Sequence, residues 1–84
     1  MNRRDKLLLR FKSEPNDFTW QEMERLLSQL GFQKSVGGKT GGSRRRFVHE
    51  TAGIISLHKP HPDNILKLYV LREVKAKLEI EELI

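Results

Sequence analysis

Apolar residues recur at helical spacing toward both ends of this chain and at strand spacing in its middle. Leu7, Leu8 and Phe11 share one side of a 3.6-residue repeat and predict a first helix over about Arg3 to Lys12, interrupted by Pro15-Asn16. A second helix has a stronger start signal. Thr19 is placed to cap it, Glu22 three residues on completes a capping box, and Phe18 and Met23 bracket the cap as a hydrophobic staple. Trp20, Met23, Leu27 and Leu30 mark its apolar face. Gly31 then supplies a left-handed terminator, with Phe32 able to pack back on the last turn. Three short strands are predicted next: Phe32 to Val36, Ser43 to Glu50 and Gly53 to His58. The first two are joined by the glycine-rich Gly37-Gly38-Lys39-Thr40-Gly41-Gly42, the last two by Thr51-Ala52-Gly53. Pro60-His61-Pro62 ends the sheet. A final helix from about Leu66 to Leu78 carries the stripe Leu71, Val74 and Leu78, and the tail Ile80 to Ile84 is apolar enough to dock.

The order α-α-β-β-β-α with short antiparallel strands predicts a two-layer α+β domain, its helices on one face of a three-stranded sheet and the other face left open. Alternation along the strands assigns the faces. Phe47, Ile55 and Leu57 belong inside, and Arg45 and His49 share the side of Phe47, so His49 is expected to be structural. Arg44, Arg46 and Val48 point outward, as do Ser56 and His58. If the second and third strands pair, Arg44, Arg46, Ser56 and His58 line one surface, with His61 just beyond its end.

Charge gives that surface a meaning. The segment Gly31 to Pro62 holds six of the sixteen Lys and Arg residues against one acid, Glu50, so the net +5 of the chain sits there together with all three histidines. A basic, glycine-hinged surface suits a polyanion. The 84 residues suffice for one domain, 1–84, with a small core, since 37% are hydrophobic and 7% aromatic. The absence of cysteine removes disulfides and thiolate metal sites and fits a reducing cytoplasm. No apolar run approaches a membrane span, and Leu7-Leu8-Leu9 is too short for a secretory signal, so no membrane association is expected.

These residues resemble a known family. A helix ending in Leu30-Gly31-Phe32, a glycine-rich turn, Gly42-Ser43 leading into a strand, a Pro60-His61 after the next strand and a closing helix are similar to the HicA toxins of type II toxin–antitoxin systems, over about Trp20 to Leu78. The resemblance implies a fold like that of double-stranded-RNA-binding domains and an mRNA interferase activity that cleaves RNA without metal. It also implies a HicB-type antitoxin as partner. The family's usual Gly-Ser-His stands here as Gly42-Ser43-Arg44, so Arg44 occupies the place of a catalytic histidine, while His61 matches the histidine of the family's Pro-His element.

Metal-free RNA cleavage needs a base for the 2′-hydroxyl, an acid for the leaving oxygen and cations for the phosphate. Arginine remains protonated and clamps phosphate, so proton transfer falls to His61 first and His58 second. Arg44, Arg46, Lys39, Lys59 and Ser43 are then the RNA-binding residues. The alternative is a non-catalytic RNA-binding or antitoxin-binding module of the same fold. A nucleotide cofactor is not expected: Gly38-Lys39-Thr40 resembles the end of a P-loop, but Gln33 replaces its first glycine and Gly41-Gly42 follow where a helix should start. His58-x-x-His61 with His49 as third ligand is a weak metal pattern, and neither metal nor cofactor is expected.

Overall fold

The computed structural model describes residues 3–35 and 44–84. Lys39, Ser43, Val36 and the rest of the glycine-rich segment lie outside the described residues. Helix α1 spans Arg3–Lys12 and buries Leu7 and Phe11, one turn apart. Two residues beyond its end, Glu14 takes a φ of +55° just ahead of Pro15. The Glu14 carboxylate accepts from Arg72 at 2.9 Å and from Lys75 at 3.3 Å, tying this end to the last helix. Those hydrogen bonds, Arg72 first, hold the Glu14 carboxyl below its ordinary pKa.

Helix α2 spans Trp20–Gln29, and its capping box forms in full. The Glu22 amide donates to Thr19 Oγ1 at 3.1 Å, and the Thr19 amide donates to Glu22 Oε1 at 2.9 Å. Arg10 of α1 clasps the same carboxylate, Nε to Oε2 at 2.7 Å, and reaches Asp17 at 3.0 Å while lying over the Phe18 ring. The Arg10 hydrogen bond, more than the Thr19 amide, lowers the Glu22 pKa, and Arg10 is raised in turn. Leu26 joins Trp20, Met23 and Leu27 among the buried residues of α2, widening the stripe seen in the sequence. Gly31 has a φ of +100°, its amide donates to Ser28 O at 3.1 Å, and the Phe32 amide donates to Leu27 O at 2.9 Å. This is the two-bond arrangement of a Schellman terminator.

That terminator shortens the first strand. Phe32, predicted to open it, is instead the residue that closes the helix. Strand β1 is Gln33–Lys34, extended by one bond from the Ser35 amide to Arg46 O. Strands β2, Arg44–His49, and β3, Gly53–His58, complete an antiparallel sheet of order β1-β2-β3. Arg44 stands opposite His58, Arg46 opposite Ser56 and His49 opposite Gly53, so the hairpin loop is Glu50-Thr51-Ala52, with Gly53 at a φ of +86° as the first residue after it.

Helix α3 spans Leu68–Ile80 and starts two residues later than the apolar stripe suggests. The cause lies far away in sequence. The Trp20 amide donates to Asn64 O at 2.7 Å and the Leu66 amide to Phe18 O at 2.8 Å, which keeps Ile65 and Leu66 extended against the entrance of α2. Leu71, Val74 and Leu78 are buried, as read from the sequence. Leu83 and Ile84 fold back on the same core, with the Leu83 amide on Leu78 O at 2.9 Å, whereas Ile80 is 77% exposed. The inner sheet face, Phe47, Ile55 and Leu57, joins residues of all three helices in one core. Each fully buried Leu or Phe there is worth roughly 1.5–3 kcal/mol. The result is the two-layer α+β architecture expected. Among the described residues no helix is long and apolar enough to cross a membrane.

Candidate nucleic-acid interface

The open face of the sheet follows from the pairing register. Three rows cross it: Arg44 with His58, Arg46 with Ser56, and Val48 with Ile54. All six residues are exposed, and the alternation that puts them there also buries Phe47, Ile55 and Leu57 on the other side. Arg44 Nη2 lies 3.4 Å from His58 Nε2. A guanidinium can only donate, so this contact is a hydrogen bond when His58 is neutral with its proton on Nδ1. Arg44 keeps further N–H groups for a phosphate.

His58 also borders a groove of about 380 Å³ between the end of β3 and the start of α3. His61 and Lys59 line the same groove, and both are exposed. The structure therefore brings together four of the residues singled out in the sequence, Arg44, His58, Lys59 and His61, with Arg46 one row inward. Asp63, also in the groove, turns one carboxylate oxygen to the Ile65 amide at 3.1 Å and so helps set the loop that carries His61.

His49 behaves differently. Its Nδ1 accepts the Thr51 amide at 3.1 Å and the Ala52 amide at 3.0 Å, and its ring packs on Phe32 with centroids 4.9 Å apart. It caps the hairpin loop at the end of the ladder opposite His58. The set His49, His58 and His61 is thus not gathered, and among the described residues no three His, Asp or Glu side chains form a metal-ligand group.

The sequence pattern did not mark Tyr69 and Glu73 of α3, which line the same groove together with Lys67. The available signal was their i, i+4 spacing on the side of α3 away from the buried Leu71, Val74 and Leu78.

A sequence model of the family described as the HicA toxin of bacterial toxin–antitoxin matches residues 20–80, which takes in α2, the sheet, the groove and α3. The chain belongs to the HicA toxin family. It is therefore a member of the toxins of bacterial toxin–antitoxin systems, and Arg44, His58 and His61 all fall inside the matched span. Helix α1 precedes that span and is joined to it by the Arg10–Glu22 and Glu14–Arg72 ion pairs. No curated protein and no solved structure matches the chain.

Proposed function

We propose that this HicA-family protein is the toxin of a type II pair and cleaves mRNA without metal, as a single RNA-binding domain over residues 1–84 in the cytoplasm. A HicB-type antitoxin covers it when it is inactive. The observation that carries this reading is the contact of Arg44 with His58 on an exposed basic face, at the mouth of the groove that also holds His61. In the reaction, one imidazole takes the proton of the 2′-hydroxyl, and its oxygen forms a new bond to the adjacent phosphorus. The bond from phosphorus to the 5′-oxygen breaks, and the second imidazole gives that oxygen a proton. The products are a 2′,3′-cyclic phosphate and a 5′-hydroxyl. Arg44 serves phosphate binding through the N–H groups that its contact with His58 does not use. Arg46 and Lys59, with Lys39 and Ser43 from the segment outside the described residues, extend the phosphate contacts.

A second reading keeps the fold and the partner but not the cutting: a module that binds RNA or the antitoxin only. It is favoured by Arg44 standing at the family's histidine position. Incubating the purified protein with single-stranded mRNA in the presence of a chelator separates the two. Cyclic-phosphate ends, together with arrested growth on induction and rescue by the antitoxin, are expected for the nuclease. Intact RNA and normal growth with folded protein present would leave the binding module.

A further inference from the structure

The groove beyond His58 and His61 has a wall that the reaction above does not use. Tyr69, in the first turn of α3, is 59% exposed, and among the described residues it takes no part in the ring pairs Phe11–Phe18, Trp20–Phe47 and Phe32–His49. Leu57, Leu66 and Val70 line the same groove as its apolar floor, and Lys67 adds a cation. The volume, about 380 Å³, lies within the range of small-ligand sites. Glu73 follows Tyr69 by one turn, so the two side chains share a side of the helix and both line the groove. Glu73 makes no ion pair among the described residues.

An exposed aromatic beside a carboxylate, in a groove that two histidines also line and whose His58 contacts Arg44, has a specific use if the partner is single-stranded RNA. Single-stranded bases are held by stacking on aromatic rings and read by hydrogen bonds on their edges. A carboxylate only accepts, so it selects an edge that only donates there. Guanine offers two neighbouring donors, N1–H and the 2-amino group, to its two oxygens. Adenine and cytosine offer one amino group beside an acceptor, and uracil a single N–H between acceptors.

From this arrangement we infer that the groove is a nucleobase subsite, with Tyr69 as the stacking platform and Glu73 as the reader of guanine, next to the phosphate held at Arg44. The inference rests on the RNA-binding reading above and names the base beside the cleaved bond.

The test measures binding of the full chain to two fluorescent 2′-O-methyl oligoribonucleotides, which cannot be cleaved: one all adenosine, one with a single guanosine. The wild type should bind the guanosine oligonucleotide more tightly. Tyr69→Ala should weaken binding to both by roughly 5- to 150-fold, with the salt dependence unchanged because no phosphate contact is lost. Tyr69→Phe should bind like the wild type. Glu73→Gln should erase the preference for guanosine without weakening binding to the all-adenosine strand. Wild-type affinity in Tyr69→Ala overturns the subsite, and equal binding of the two strands by the wild type overturns guanine reading. Failure of the wild type to bind either strand would instead overturn the RNA reading itself. Unchanged circular dichroism in each variant ties the losses to the groove.

Discussion

The two ends of the β2–β3 hairpin are built from the same ingredients and do opposite things. At the loop end His49 is half-buried, accepts two backbone amides and stacks on Phe32, and its Nε2 sits where a Cβ on Gly31 would come within 3.0 Å. At the other end His58 is exposed, has the Arg44 guanidinium at 3.4 Å and faces a groove. One histidine has its bonding capacity spent on the fold. The other meets a neighbouring side chain, Arg44, and borders the groove. Residue type alone does not distinguish the two histidines; the number of backbone donors aimed at the ring does.

The sharpest way to break this contrast is to remove each histidine in turn. Replacing His61 or His58 by Ala should abolish RNA cleavage, a loss of about a hundredfold to ten-thousandfold for a general acid or base, with the melting temperature unchanged. His49→Ala should do the reverse: cleavage by the remaining folded protein persists, while stability falls by about 1 kcal/mol as two amides lose their acceptor. A calorimetric scan beside a cleavage assay reads both. Full activity in both the His58 and His61 variants would remove the contrast.

Gly31→Ala attacks the loop end from the helix side. A side chain there must adopt a positive φ and displace His49, so a loss of about 2 kcal/mol is expected. For a domain this small that lowers the melting temperature by roughly 10 °C. The acid limb of stability sharpens the comparison further, because the closed side of the molecule depends on carboxylates that the open face lacks. Glu22 and Glu14 are held below the ordinary 4.5, by Arg10 and Arg72 foremost. Their lowered values mean that the stability they contribute is fully present above about pH 4.5 and lost as the pH falls through the folded-state values. Glu22→Gln should therefore flatten the decline seen in acid-denaturation midpoints, while costing about 1 kcal/mol at neutral pH through the weakened cap and clasp.

The smallest effect on stability belongs to the open face. Arg44→Ala with Arg46→Ala should change it by less than about 0.5 kcal/mol. The same pair should reduce the slope of log K for single-stranded RNA against log salt by roughly 1.4, at about 0.7 per phosphate contact. An unchanged slope would mean that this face does not meet the backbone of RNA.

Local features were legible in the sequence, and distant ones were not. Thr19 and Glu22 announce the start of α2 because a capping box closes within four residues, and Gly31 announces its end for a similar reason. Alternation put Arg44, Arg46, Ser56 and His58 on one face because a strand's period is fixed by the backbone. The start of α3 is not legible in its own apolar stripe, because the bond from the Leu66 amide to Phe18 O joins residues 48 positions apart. Strand β1 is shorter than its apolar character suggests because Phe32 serves the helix terminator, a role that apolar character does not distinguish from a strand residue. For His49 the pattern indicated a side but not its two amide partners, and the groove with Tyr69 and Glu73 exists only once β3 and α3 are placed together.

The alternation of buried and exposed positions on β2 also bears on how such a protein can diverge. Position 47 faces inward, where Phe47 meets Trp20 with ring centroids 5.9 Å apart, and position 45 on the same side is half-buried. Positions 44 and 46 alternate with them along the strand and are exposed. Mutations at the outward set are therefore expected to be close to neutral for folding. A lineage can exchange a histidine for an arginine at position 44 in one step, without passing through an unstable ancestor.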